Sequence, residues 1–549
     1  MNYTKFKKLP FLLACVHFAI SFFTDRLFFE YSLSDSTFYN IQLFLIKGGF
    51  FFVLWAMYAW ISFVLGGIRS GVVPKEKILY LLVYLLLNLV ILILVWPGMW
   101  VDMSILEPAK YMRLQTWHHV VSSLVDIYSA MLLPFSAGVI IVQVVLISVI
   151  AAHTTVEVNR LIHGKAWMGA VIFTAFLSPA LLLYNQNNFR AVLYSYISLY
   201  FAIAFYQFLN SPHLRRRQFI PLVLSGVLTC VWRSEGVVWL GIIVIVTIML
   251  ITTKKLPAKA ALFPFAVLLG FLLVWKVNGY YEQFSTENYT LVATLRQADA
   301  LVLAADPVED LETLEKIDKC INVDLMRGNP EHDGNWFFWY RRQEFVRDFT
   351  EDDLKEYAVS LVKLAFKYPC PLIQERVSMF TGAVGIHTER QKSIVDDTMR
   401  FEVDDAHKAA QDILTESIGG LFTWPINKDL RSDVINFLGG RDENGDITWR
   451  SYLCVTACDG LIAVFLALFI GIALRNRGVI IVNTAVILQG IVVFLTEPDP
   501  NFFYYLPLEA IGRVELFGML ALLIQTCIER HKSSVNCAER SDTQMRRGV

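Results

Sequence analysis

An acid sits at the end of one of the most apolar stretches of this chain. The run "ILYLLVYLLLNLVILILVW" (78–96) carries no charge and leads into "PGMWVDMS" (97–104). Pro97 and Gly98 break a helix there. Trp96 and Trp100 are of the type that collects where a bilayer meets water. Asp102 follows Gly98 by four residues. A carboxylate held at such a rim and partly stripped of water can take a proton from an acceptor hydroxyl. The plain alternative is a polar residue that marks where a helix leaves the membrane.

Four other stretches carry polar groups next to apolar runs. In "YMRLQTWHHVVSSLVDIYSAMLLP" (111–134), Leu114, Trp117, Val121, Leu124 and Tyr128 share one side at helical spacing. The pattern predicts a helix lying along the membrane surface. His118 and His119 point to different faces, which argues against a two-histidine metal site; one of them is either a phosphate or sugar contact or a structural residue. In "CVWRSEGVVW" (230–239), Arg233 and Glu235 occupy a tight hairpin. They read as a snorkelling ion pair or as a guanidinium for the phosphate of a lipid carrier. In "FLTEPDPNFFYYLPLEAIGRVE" (494–515), Glu497 and Asp499 precede a Pro-punctuated aromatic loop with Tyr504 and Tyr505. Arg513 falls about two turns into the next apolar helix. Glu515 faces elsewhere, so Arg513 needs a partner from another helix or a ligand phosphate. In "LYNQNNFRAV" (183–192), amides and Arg190 form a turn that could read sugar hydroxyls or simply favour turning.

The elements that position these residues follow from composition. Of 549 residues, 55% are hydrophobic and 18% charged, and the mean hydropathy is +0.49. That excludes a soluble multidomain enzyme. A net charge of −1 gives no electrostatic basis for nucleic-acid binding. Apolar segments predict about twelve membrane helices, near 9–28, 41–66, 78–97, 130–152, 166–184, 190–209, 218–232, 236–253, 260–278, 451–474, 478–496 and 508–528. The basic N-terminus with its apolar follow-on reads as a retained first helix rather than a cleaved signal. With that end inside, each predicted inside loop, from "GGIRSGVVPKEK" to the tail 529–549, is basic. The expected organisation is an all-α polytopic protein of the cytoplasmic membrane. A bundle (1–278) would carry an extracytoplasmic loop at 98–129. A mainly helical extracytoplasmic domain (279–450), three further helices (451–528) and a cytoplasmic tail would follow.

The 279–450 region is acidic by about a dozen net charges. It predicts helices in "EDDLKEYAVSLVKLAFKYP" and "EVDDAHKAAQDILTESIGGLF". Its aromatic segment "GNWFFWYRRQEF" is expected to pack on the membrane face or line a substrate groove. Cys320 and Cys370 both lie there and can form a disulfide in an oxidising compartment. No nucleotide-binding glycine loop, metal-type histidine cluster or repeat is present.

At these residues the chain resembles the glycosyltransferase C (GT-C) superfamily of polytopic membrane glycosyltransferases. The likeness lies in Pro97-Gly98 followed by Asp102, in Trp117-His118, in Arg233 before Gly236, and in the late loop with Pro500, Tyr504, Tyr505 and Pro507. It covers most of 78–280 and 485–515. Here the acid follows the third helix rather than the first, and it stands alone before Glu107 rather than in a pair. The resemblance implies a GT-C-like core and a sugar donor linked to polyprenyl phosphate in the outer leaflet. It implies a glycan, lipid or protein acceptor, and inverting displacement with Asp102 as base. His118, His119, Arg233, Glu235 and Arg513 would then hold the donor phosphate or sugar. Trp117, Arg190, Glu497, Asp499, Tyr504 and Tyr505 would contact the acceptor or shape the loops. The resemblance assigns no definite cofactor and leaves a divalent cation open, although the lone acid speaks against a carboxylate-bound metal. Two other readings share the layout: a transporter or flippase, and a glycan polymerase or ligase using lipid-diphosphate donors.

Overall fold

The computed structural model describes residues 8–30, 37–99, 112, 114, 120–210, 216–281, 285–330, 332–387 and 425–547. Among them the chain is helical, with no strand beyond isolated bridges. The first part comprises α1 (Lys8–Thr24), α2 (Thr37–Arg69), α3 (Lys75–Leu94), α4 (Val120–Leu132), α5 (Ser136–Leu161), α6 (Ala166–Phe173), α7 (Pro179–Asn185), α8 (Arg190–Asn210), α9 (Arg216–Val231), α10 (Val237–Thr252) and α11 (Leu262–Tyr281). The hydrophilic region follows with α12 (Ser285–Ala304), α13 (Leu311–Asp318), α14 (Val323–Gly328), α15 (Gly334–Tyr340), α16 (Arg342–Phe345), α17 (Glu351–Lys367), α18 (Pro369–Ala383) and α19 (Lys428–Gly439). The chain then returns to apolar helices: α20 (Ser451–Cys454), α21 (Cys458–Ala473), α22 (Arg477–Thr496) and α23 (Leu506–Arg547).

Nine helices among the described residues are long and apolar enough to cross a membrane. The count is ten if the segments Ala166–Leu177 and Pro179–Asn185, bent by 63° at their junction, form one interrupted span. Helices of this length and apolarity are compatible with a multi-pass membrane protein, and their count among the described residues is lower than the twelve expected. Two expected segments, 218–232 and 451–474, fall on the shorter helices Gln218–Val231 and Cys458–Ala473. A 16-residue helix rises only about 24 Å against a core of about 30 Å. The fourth span is also displaced. α4 ends at Leu132, just before Pro134, and the span is Ala137–Leu161 rather than 130–152.

Close helix crossings are built on glycine. Where α21 meets α23, a Cβ on Gly512 would lie 2.1 Å from the Gly460 carbonyl oxygen, and one on Gly460 would lie 2.4 Å from Glu509 Oε2. The bare backbones let the Glu509 carboxylate accept the Gly460 amide at 3.2 Å, capping the start of α21 from a neighbouring helix. Elsewhere Trp239 donates to Gln489 at 2.9 Å, and Gln489 donates to the Tyr194 hydroxyl at 3.0 Å. That chain ties α10, α22 and α8 across the bundle.

The inserted region has its own core of Leu295, Leu301, Ile317, Phe337, Phe345 and Tyr357. α17 forms as its pattern predicts, opened by a Thr350–Asp353 capping box. Phe337, Phe338 and Phe345 are buried in this core, because α15 and α16 turn their apolar side against α12. Cys320 is buried and Cys370 exposed, and both are free thiols rather than a disulfide. The expected helix at 401–421 lies outside the described residues.

Arginines fasten this domain to the end of the bundle. Arg376 donates to the carbonyl oxygens of Phe494 (3.3 Å) and Glu497 (3.0 Å) at the end of α22. Arg296 donates to the carbonyl of Pro498 at 3.0 Å and pairs with Asp499 at 3.1 Å. Arg431 donates to the carbonyls of Val95 (3.3 Å) and Gly98 (3.2 Å), past the end of α3. These contacts define a domain-bearing end. At the opposite end Lys77 meets His153 at 2.8 Å, Arg477 donates to the Leu209 carbonyl at 3.2 Å, and Lys165 approaches Glu529 at 3.8 Å. The basic connections between spans therefore gather away from the domain.

Replacing Gly512 by Ala forces backbone apart where no side chain can give way. The expected cost is about 1–3 kcal/mol, read as a lower thermal midpoint in detergent. Gly241→Ala, with nothing within 4 Å of the added carbon, should leave the midpoint unchanged or raised.

Candidate functional site

A small polar pocket with room of about 20 Å³, enough for a water molecule, opens among α4, α5, the turn after α7 and the α9–α10 hairpin. Asp126, Arg190, Gln143, Asn188, Ser122 and Trp232 contribute to its wall. Asp126 is the lone acid of α4. Arg190 opens α8.

The turn 185–190 is held by buried amides. Gln143 donates to the carbonyls of Asn185 (3.1 Å) and Asn187 (2.7 Å). Asn185 donates to the Tyr84 hydroxyl at 2.8 Å and to Asn88 at 3.0 Å, and Gln186 donates to Asn88 at 3.2 Å. The Asn187 side chain accepts the Phe189 amide at 2.7 Å, an Asx turn. A buried amide left unpaired costs about 1–3 kcal/mol, so these partners fix the turn rather than decorate it. The Trp232 indole donates to the Arg190 carbonyl at 3.1 Å and fastens the hairpin to the same turn.

The segment that leads to Asp102 is docked on this turn. Gly98 has φ +101°, and a Cβ there would lie 2.1 Å from Ile140 Cδ1. Only glycine fits both demands. The conformation lets the Met99 amide donate to the Gln186 carbonyl at 2.8 Å, and Met99 pairs in parallel with Asn187. At the far end of the loop, the Val120 amide donates to the Asn278 side chain at 2.9 Å. Asp102, Trp117, His118 and His119 themselves lie outside the described residues. Among the described residues of the amphipathic stretch 111–134, α4 is helical. It packs against α2, α5 and α11, with Tyr128 stacked on Phe50 at 6.0 Å.

Arg233 and Glu235 form a buried ion pair, each 5% exposed, and not a snorkelling one. The guanidinium faces the rings of Tyr504 (5.4 Å), Phe503 (5.8 Å) and Tyr194 (5.9 Å). Tyr504 thus stands beside Arg233. Tyr505 is turned inward, against Phe380. Arg513 takes its partners from the protein: Asp459 of α21, Glu509 at 3.3 Å and the Ala175 carbonyl at 3.3 Å, where the α6–α7 span is interrupted. Glu515 accepts from Asn483 at 2.9 Å.

Glu497 and Asp499 belong to the domain junction. Asp499 meets Arg296, which also pairs with Asp333 at 2.8 Å. Glu497 is 1% exposed. Burial pushes its pKa up to about 8, opposed by Arg376 and the Tyr505 hydroxyl beside it. Burial likewise raises Asp299 to about 7, helped by Asp333. Among the described residues no cluster of three His, Cys, Asp or Glu could hold a metal ion.

The structure therefore sorts the sequence-derived residues into three places. Arg190 lies at the pocket; Arg233, Glu235 and Tyr504 lie at the adjoining hairpin; Glu497, Asp499 and Tyr505 lie at the domain junction. Arg513 engages a different set of partners from Arg233. Sequence reasoning passed over Asp126, whose signal was an acid within an otherwise uncharged amphipathic helix. It also passed over Arg296, Arg376 and Arg431, which look like ordinary surface charges in a hydrophilic region. Comparison with protein-family models, curated proteins and solved structures finds no match for this chain.

Two outcomes follow from the buried charges. Glu497 holds a proton in the folded chain between its ordinary value of 4.5 and about 8. Its stabilisation is complete below pH 4.5 and is lost as pH rises through 8. Glu497→Gln should therefore stabilise the protein more at pH 8 than at pH 5, by an amount on the order of 2 kcal/mol, seen as a flatter dependence of the thermal midpoint on pH. Arg233→Met strands the Glu235 carboxylate and should cost about 3–5 kcal/mol, while Arg233→Met with Glu235→Leu should recover most of it. Thermal unfolding of the two variants measures the difference.

Proposed function

We propose that this protein is a membrane glycosyltransferase with a GT-C-like core. It would transfer a sugar from a polyprenyl-phosphate donor to a glycan, lipid or protein acceptor, with Asp102 taking the proton of the acceptor hydroxyl as that oxygen displaces the lipid phosphate with inversion. One observation carries the reading. The residues that flank the stretch bearing Asp102 are fastened near a small polar pocket lined by Arg190 and Asp126: Met99 to the turn at Gln186, and Val120 to Asn278. A lipid-linked donor needs such a site: apolar helices for the prenyl chain, a guanidinium for the phosphate, and a carboxylate at the sugar. The departing lipid phosphate would be met by Arg190, with the Arg233–Glu235 hairpin beside it. Glu497 and Asp499 serve instead to dock the domain.

The basic connections cluster opposite the domain, which supports a cytoplasmic face there with both termini on it. The pocket and domain would then be extracytoplasmic, in the plasma membrane. A full set of twelve spans includes the short helices α9 and α21. No cofactor is required by this scheme.

A second reading rests on its own observation. The interrupted α6–α7 span and the Asp459–Arg513–Glu509 cluster place a broken helix and charges inside the bundle, as transporters do. Reconstituted protein given polyprenyl-phosphate sugar separates the two. Glycosyl transfer that Asp102→Asn lowers at least about 100-fold, with folding intact, is the expected result. Unchanged transfer in that variant removes the base assignment. Movement of the lipid-linked sugar across the bilayer without bond formation favours the transporter.

A further inference from the structure

Two helices of the region 279–450 are seated in the same way, and Ala383, Ile435 and Leu438 on them join the core of the bundle. α18 sets Arg376 on carbonyls at the end of α22, and α19 sets Arg431 on carbonyls past the end of α3. Each arginine fixes which side of its helix meets the bundle. Successive helical residues turn by about 100°. Ile373 and Val377 therefore project about 60–100° from Arg376, and both are exposed. Leu430 and Phe437 project about 100–120° from Arg431, and both are exposed, Phe437 by 64%. The two apolar stripes thus face sideways, at the level where the spans end.

The stripe on α19 continues along the chain. Gly440 (φ +74°) and the bridge between Arg441 and Ile447 turn the backbone. The segment 447–453 then presents Trp449 (72% exposed), Tyr452 and Leu453 (65% exposed). The Arg450 guanidinium lies 4.8 Å over the Phe437 ring. Five residues after Leu453, the apolar helix α21 begins.

We propose that the outward faces of α18 and α19, with segment 447–453, form an apolar collar that rests in the headgroup–acyl boundary of the bilayer. The occupant is phospholipid and not a second protein. The stripe runs directly into an apolar helix of the bundle, and it lies level with the ends of α3 and α22. Tryptophan, tyrosine and arginine over an apolar surface are the side chains that interface favours. The collar holds the domain from outside while its arginines hold it from within. This holds whether the bundle transfers sugars or transports them.

The test uses the full chain in phosphatidylcholine nanodiscs, with the exposed Cys370 and Cys527 replaced by Ser. Fluorophores are placed by Phe437→Cys, Leu453→Cys and, as the water-side control, Asp352→Cys, whose native side chain is 91% exposed. Lipid carrying a nitroxide near the headgroup should quench the labels at 437 and 453 about twofold more than the one at 352, and aqueous iodide should show the reverse order. Iodide quenching at 437 and 453 equal to that at 352 overturns the proposal. Protection from both quenchers also overturns it, since protein then covers the stripe. If labelling impairs folding, the emission lost in Trp449→Phe supplies a second reading. Quenching of that emission by brominated lipid supports the collar, and its absence refutes it.

Discussion

Peptide carbonyls at the broken ends of apolar helices need donors where water is scarce. A helix leaves its last four carbonyls without internal partners, and each costs several kcal/mol if buried unsatisfied in an apolar setting. At one end of this bundle the donors are guanidinium groups sent in by the inserted domain. Arg376 covers the end of α22, Arg296 the Pro498 carbonyl just beyond it, and Arg431 the exit from α3. A guanidinium suits the task because its planar fork offers several donors at once. The same bonds that complete the helices also set the position of the domain.

The pocket obeys the same constraint in a different chemistry. The α6–α7 interruption exposes backbone in the bundle, and Arg513 answers it at Ala175. Beyond α7, amides from α3 and α5 hold the next turn. Gly98 then allows the chain from α3 to lie on that turn. A rigid polar turn at a span's end gives Arg190 and Asp126 a shared wall, with the loop of Asp102 rooted beside it.

Much of the membrane organisation was legible in the sequence. Long uncharged runs are read directly, because a lipid core rewards length and apolarity without regard to partners. The count was less secure. α9 and α21 are apolar but short, and a break such as the one before α21 depends on contacts with Val384 that no local pattern encodes. The phenylalanines of the aromatic segment are a related case. An amphipathic pattern marks a face to be buried but not the surface that buries it, and here that surface is the domain's own α12.

The sequence by itself determined that the chain is a bundle of membrane-length helices interrupted by one large acidic region. It also marked Pro97-Gly98, Arg190, Arg233 and Arg513 as positions where polarity meets lipid. Only the tertiary structure decided what each charge does. Arg513 is matched by Asp459 and Glu509, Arg233 by Glu235, and Glu497 and Asp499 serve the domain junction, while Arg190 comes to a pocket with Asp126. The physical reason is that a buried charge takes its meaning from its partner. Glu235 and Glu509 are near neighbours of their arginines in sequence, but Asp459, Asp126 and the arginines of the junction lie tens to hundreds of residues away, so their part is fixed only when the helices pack.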